Sequence, residues 1–131
     1  MRVTRAALVA ERLVYVLVAD KRLRYAEGRS RIAYIGVTTR GHLRIAESVA
    51  HRSRRLLELR GVRSFEVRVV TCRARRNVET WRELERALIV SFREQFGEVP
   101  LCNSQGKRMG ARRVFEIFTR RRVDAVLDEM R

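Results

Sequence analysis

At 131 residues and 15.4 kDa the chain has room for one domain with a true core, and not for two. A hydrophobic share of 46% excludes a disordered chain. The net charge of +15, from 30 Lys+Arg against 15 Asp+Glu, excludes a cationic partner and points to a polyanion. Only Lys21 and Lys107 among the basic residues are lysine; the rest are arginine, whose planar fork grips phosphate in two-pronged fashion. Nucleic acid is the expected partner.

Cys72 and Cys102 form neither a CxxC nor a disulfide framework, which fits a reducing, cytoplasmic setting. Glu11 and Arg12 interrupt the apolar N-terminal run, so no signal peptide is expected. Leu13–Ala19 is far shorter than the ~20 residues of a membrane helix. A soluble protein with no membrane partner is expected.

Taken in order, residues 2–12 read as a short helix or lead-in. The β-branched run Leu13–Ala19 predicts a buried central strand. Residues 20–29 are polar, carry Gly28, and suit a hairpin connection or lid. Ser30–Gly36 predicts a second strand. Ala33-Tyr34-Ile35-Gly36-Val37-Thr38-Thr39 then reads as a strand end, a tight turn and a helix start, a junction whose backbone N–H groups suit an anion. The next helix, Arg40 to about Leu59, has Leu43, Ala46, Val49, Ala50, Leu56 and Leu57 as its apolar face and Gly61 as its stop. Arg44, Ser48, His51 and Arg55 form a polar seam along it.

Phe65–Val69 alternates as a half-exposed strand, and Arg73–Asn77 is a basic loop. Thr80-Trp81-Arg82-Glu83 has capping-box spacing and predicts a helix to Phe96, stopped by Gly97-Glu98-Val99-Pro100. After the loop 101–110, Arg112–Met130 predicts a last helix with Val114, Phe115, Phe118, Val123, Val126 and Leu127 inward. The order β, β, α, β, α, α defines one domain over 1–131 of α/β (α+β) class. A small three-stranded antiparallel or mixed sheet is flanked by helices, with an extra basic helix over 111–131.

One carboxylate is conspicuous. On a wheel of ~100° per residue, Glu85 falls among Trp81, Leu88, Ile89, Phe92 and Phe96, while Arg82, Arg86, Arg93, Glu83 and Glu94 lie opposite. A carboxylate on a core-facing stripe needs either a buried salt bridge or a hard divalent cation. The pattern alone leaves both open. No Ser/His/Asp, Cys/His or paired-His arrangement is present, and three aspartates exclude an aspartate-cluster nuclease.

With Tyr15 on the first strand, Tyr34-Ile35-Gly36 on the second, Arg44 ten residues beyond Tyr34, Glu85 on a later helix and Asn103 in Pro100-Leu101-Cys102-Asn103, residues 13–105 resemble the GIY-YIG nuclease family. The resemblance implies a metal-dependent endonuclease. Tyr15 and Tyr34 would line the site, one of them as general base or water-positioning hydroxyl. Arg44 would stabilise the scissile phosphate, Glu85 would hold one Mg2+ or Mn2+ ion, and Asn103 would order the site. The chain departs from the family pattern at Val14-Tyr15-Val16 in place of Gly-Ile-Tyr, at the long connection 20–29, at Val37 where some members carry lysine, and at Ser48 where His or Tyr is common. Ser48 and His51 are therefore further candidates.

Metal-dependent endonucleolytic hydrolysis of DNA, structure-directed or weakly sequence-specific, is the leading expectation, with RNA a second substrate. Arg40, Arg52, Arg55, Arg75, Arg76, Lys107, Arg108, Arg112 and Arg113 are the expected backbone contacts. Two other readings stand beside it: a non-catalytic nucleic-acid-binding module on the same fold, and a nuclease of another fold using Glu66 and Arg68. Monomer and homodimer are both open.

Overall fold

The chain's longest apolar run becomes its middle strand. In a computed structural model that describes residues 12–39, 41–59, 61–72, 75–76, 78–103 and 114–131 (for 41–44 the backbone alone), the elements are β1 (Leu13–Tyr25), β2 (Gly28–Thr38), α1 (Gly41–Glu58), β3 (Phe65–Val70), α2 (Thr80–Phe96) and α3 (Arg120–Met130). The sheet is fully antiparallel, in the order β2-β1-β3. Residues 13–17 of β1 are buried on both faces, which is why that stretch has no polar alternation. The predicted lead-in before residue 12, and Arg40, the Arg44 side chain, Lys107, Arg108, Arg112 and Arg113, lie outside the described residues.

Residues 20–29 form the expected hairpin connection and not a lid or an insertion. β1 and β2 simply continue to a two-residue turn, Ala26-Glu27, with Tyr25 opposite Gly28. Leu23, Tyr25, Ser30 and Ile32 point inward and Arg22, Arg24, Arg29 and Arg31 outward, so period-2 patterning persists beneath a polar composition. The tip is fastened to the end of α2: Ala26 N donates to Glu98 Oε2 (2.8 Å) and Glu27 N to Phe96 O (2.9 Å).

Two irregularities interrupt the ladder. Between the pairs Val18↔Ile32 and Leu23↔Ser30, β1 advances five positions and β2 two, leaving three extra residues on β1. There Asp20 leans toward the start of β3, accepting from Arg63 N (3.3 Å) and donating its own N–H to Ser64 O (3.0 Å). On β2 the register slips by one residue at Ala33, a bulge immediately before Tyr34.

The helices also depart from expectation in detail. In α1, Ala46 and Ala50 are exposed and Leu57 is 43% exposed; the inward stripe is Ile45, Val49, Arg52 and Leu56. The predicted capping box of α2 does not form. Glu79 takes the N-cap position without a side-chain cap, and its carboxylate pairs with Arg82 (3.1 Å). The C-terminal helix begins at Arg120 rather than Arg112. Thr119, extended at φ −63° and ψ 147°, accepts from Arg122 N (3.4 Å) and starts it afresh after a turn over 114–117. Ser91, Gln95 and Asp124 hydrogen-bond across the α2–α3 contact. No helix among the described residues is long and apolar enough to cross a membrane.

Candidate functional site

The sheet register brings the two tyrosines together. Tyr15 is paired with Gly36 and Leu17 with Tyr34, so Tyr15 and Tyr34 are diagonal neighbours on one face. Their ring centroids are 5.7 Å apart at 39°. The Tyr34 ring lies back over Gly36: a Cβ there would run into the ring and lie 2.6 Å from its hydroxyl. Glycine two residues after the tyrosine is thus a requirement of how Tyr34 is laid down. Tyr15 is only 1% exposed, and Tyr34 is half-buried. Tyr34 is the hydroxyl with access; Tyr15 backs it.

The outer edge of β2 is closed by the loop after α2. Cys102 N donates to Ala33 O (2.9 Å), and the Asn103 carboxamide takes both backbone groups of Ile35: its Oδ1 accepts from Ile35 N (3.0 Å) and its Nδ2 donates to Ile35 O (2.9 Å). Asn103 is 8% exposed with its amide spent on backbone. It fixes the strand that carries Tyr34.

From α1, Arg52 lays its guanidinium over the Tyr34 ring, 4.2 Å from the centroid, with Nη1 held by Ser48 O (3.3 Å). The sequence pattern marks Arg52 only as a phosphate contact; the signal it offers beyond that is an arginine on the inward stripe of a helix. His51 is exposed, and Ser48 is half-buried one turn before Arg52. Arg55 donates to Leu101 O (2.9 Å), tying α1 to the Asn103 loop. The backbone of Arg44 lies in the first turn of α1.

Glu85 sits at the flank of the buried face of α2, whose inward positions are Trp81, Leu84, Ala87, Leu88, Ser91 and Phe92. It is half-buried, a correction to the central placement expected on the helical wheel. Burial raises its carboxyl above the ordinary range, against the pull of Arg82 and Arg86. No described residue hydrogen-bonds or ion-pairs with it, so the expected alternative of a buried salt bridge is not what holds it there among the described residues. Its charge bears on Tyr34. Burial, then Tyr15, push the Tyr34 phenol above its usual value; Arg52 opposes and Glu85 adds to the rise. The lowering of the phenol by Arg52 is therefore outweighed.

The donor set suits a hard cation only in one manner. Among the described residues there is no cluster of three or more His, Cys, Asp or Glu. A single carboxylate that no described residue pairs with fits an ion that keeps most of its waters and takes its other oxygens from phosphate, as magnesium does.

Other sequence candidates lie apart from this cluster. Arg75 and Arg76 are exposed before α2, where Arg75 bridges Val78. Glu66 and Arg68 pair with each other (3.1 Å) while Arg68 donates to Glu129 O (3.1 Å), a contact that docks α3 on β3. Comparison with protein-family models, with curated proteins and with solved structures finds no match.

Proposed function

We propose that the chain is a divalent-cation-dependent endonuclease that hydrolyses phosphodiester bonds of DNA at the Tyr34 face. The observation that carries this reading is one convergence. A half-exposed phenol lies under an arginine, and its titration feels a half-buried carboxylate that hydrogen-bonds and ion-pairs with no described residue, on a chain of net charge +15. The motif resemblance to GIY-YIG nucleases favours the same chemistry.

Hydrolysis needs a water delivered to phosphorus, charge stabilised on the phosphoryl oxygens and a proton for the leaving oxygen. Tyr34, neutral at physiological pH, positions the water by accepting from it. As the water oxygen bonds to phosphorus the P–O bond to the leaving oxygen breaks, the water's proton passes to solvent, and solvent protonates the leaving oxygen. Arg52, held over the ring, presents donors to the phosphate. Glu85 is the residue that would hold the cation, which when bound neutralises charge developing on the phosphate. Tyr15 supports the Tyr34 hydroxyl, and Asn103 fixes the strand beneath it. Arginine–phosphate contacts position the duplex without reading its sequence, so weak sequence preference is expected.

The test is cleavage of labelled duplex and branched DNA with magnesium or manganese, comparing wild type with Glu85→Gln and Tyr34→Phe, each first shown to bind DNA. Cutting by the wild type, abolished in both variants while binding persists, is the expected result. Binding without cutting on every substrate and cation would replace this reading with a binding module.

A further inference from the structure

One face of the β1–β2 hairpin, away from the tyrosine pair, is lined by exposed arginines. Arg24 and Arg29 are direct cross-strand neighbours, and Arg22 and Arg31, two residues further along each strand, are exposed on the same outward alternation. All four are exposed, and none is joined by hydrogen bond, ion pair or ring contact to a described residue. Five arginines elsewhere are ion-paired: Arg54 with Glu58, Arg68 with Glu66, Arg82 with Glu79, Arg120 with Glu94, and Arg131 with Asp128. Like charges placed directly opposite destabilise a strand pair, so this arrangement is at odds with the free protein's own stability.

The ribbon is rigid where it carries them. Tyr25 Oη donates to Ile32 O (2.5 Å) and accepts from Leu101 N (3.1 Å), and the turn is tied to Glu98 and Phe96. Its orientation also follows from the ladder. The extra residue at Ala33 shifts the alternation by one, so Arg29 and Arg31 fall on the same side of β2 as Tyr34. Arg31 is three residues from Tyr34, ~10 Å along a strand, and Arg29 five, ~17 Å.

We infer that the hairpin is a second nucleic-acid contact, an arginine ribbon that holds the phosphate backbone of the duplex beyond the point of cleavage. The inference rests on the nuclease reading for its substrate. The forked guanidinium suits phosphate oxygens, and a preformed ribbon loses little freedom on binding. The outward face carries no apolar side chain, which argues against a membrane surface, where insertion of an apolar face is needed.

The experiment compares wild type with a variant in which Arg22, Arg24, Arg29 and Arg31 are all Gln, and another in which all four are Lys. Affinity for a short labelled duplex is measured over a salt series, together with thermal unfolding. With about three phosphates no longer neutralised, the Gln variant binds roughly 100- to 1,000-fold more weakly at ~0.1 M salt, and its log–log salt slope is shallower by about 2 to 3. The Lys variant keeps the slope. The Gln variant's unfolding midpoint stays level or rises, because the cross-strand repulsion is gone. Wild-type affinity and slope in the Gln variant would overturn the ribbon and leave the Tyr34 site standing. Binding to phosphatidylserine vesicles but not to duplex, abolished in the Gln variant, would also overturn it. A wild type that binds with a hairpin-dependent slope yet never cuts supports the ribbon while sinking the cleavage reading.

Discussion

Tyr25 and Tyr34 occupy two ends of the same hairpin, and both phenols titrate above their ordinary value chiefly through burial. Their surroundings differ. Tyr25 is 4% exposed, wedged edge-on against Phe92 (4.9 Å) and near Phe96 (6.0 Å), with its hydroxyl spent on Ile32 O and Leu101 N. Tyr34 is half-exposed, its hydroxyl bonded to no backbone group among the described residues and with Tyr15, Arg52 and Glu85 around it. A shifted phenol is thus not itself a mark of chemistry. What separates the two is whether the hydroxyl's hydrogen-bonding capacity is already used.

The strongest way to break this comparison is to remove each hydroxyl in turn. Tyr34→Phe should lower the cleavage rate by ~10²–10⁴, with unfolding stability within about 0.5 kcal/mol of wild type. Next in size, Asn103→Ala strips both hydrogen bonds from Ile35 and should destabilise the fold by about 2–4 kcal/mol in denaturant titration, weakening cleavage through displacement of Tyr34. Tyr25→Phe should be the mirror of Tyr34→Phe. It leaves Leu101 N and Ile32 O short of a partner, a loss of about 1–3 kcal/mol, with cleavage per folded molecule unchanged. A rate loss in Tyr25→Phe, or a large stability loss in Tyr34→Phe, would erase the distinction.

The smallest effect is a pH dependence at Glu85. Burial holds its folded pKa above the unfolded value of ~4.3, so the protonated form is the one the fold prefers. The linked stability is fully present below the unfolded value and is lost as pH rises through the folded pKa. Glu85→Gln should therefore match wild type near pH 4 and exceed it at neutral pH in metal-free denaturation. A gap that widens toward acid would contradict the burial.

Much of the frame is legible in the chain. The uninterrupted Leu13–Ala19 run could only be a strand covered on both faces, and the Phe65–Val69 alternation a half-covered one. The tyrosine pair and Glu85 stand out as residue types at odds with their neighbours. Arg52 does not, although the same logic applies: it falls between Val49 and Leu56 on a stripe hidden by assigning Ala46, Ala50 and Leu57 to the core. The hairpin arm escaped for a related reason. Four arginines at alternate positions look like a loop by composition, yet they are the outer half of a period-2 pattern. The Ala33 bulge, which sets which side Tyr34 shares with those arginines, leaves no trace in composition or periodicity.

The clasp between Asn103 and Ile35 spans 68 residues of chain, and that between Tyr25 and Leu101 spans 76. Contacts of such sequence separation form late, because the loop must close before they contribute. During synthesis the tyrosines emerge long before the segment that seats them, so on the proposed nuclease reading a growing chain that meets nucleic acid at the ribosome binds it before it can cut.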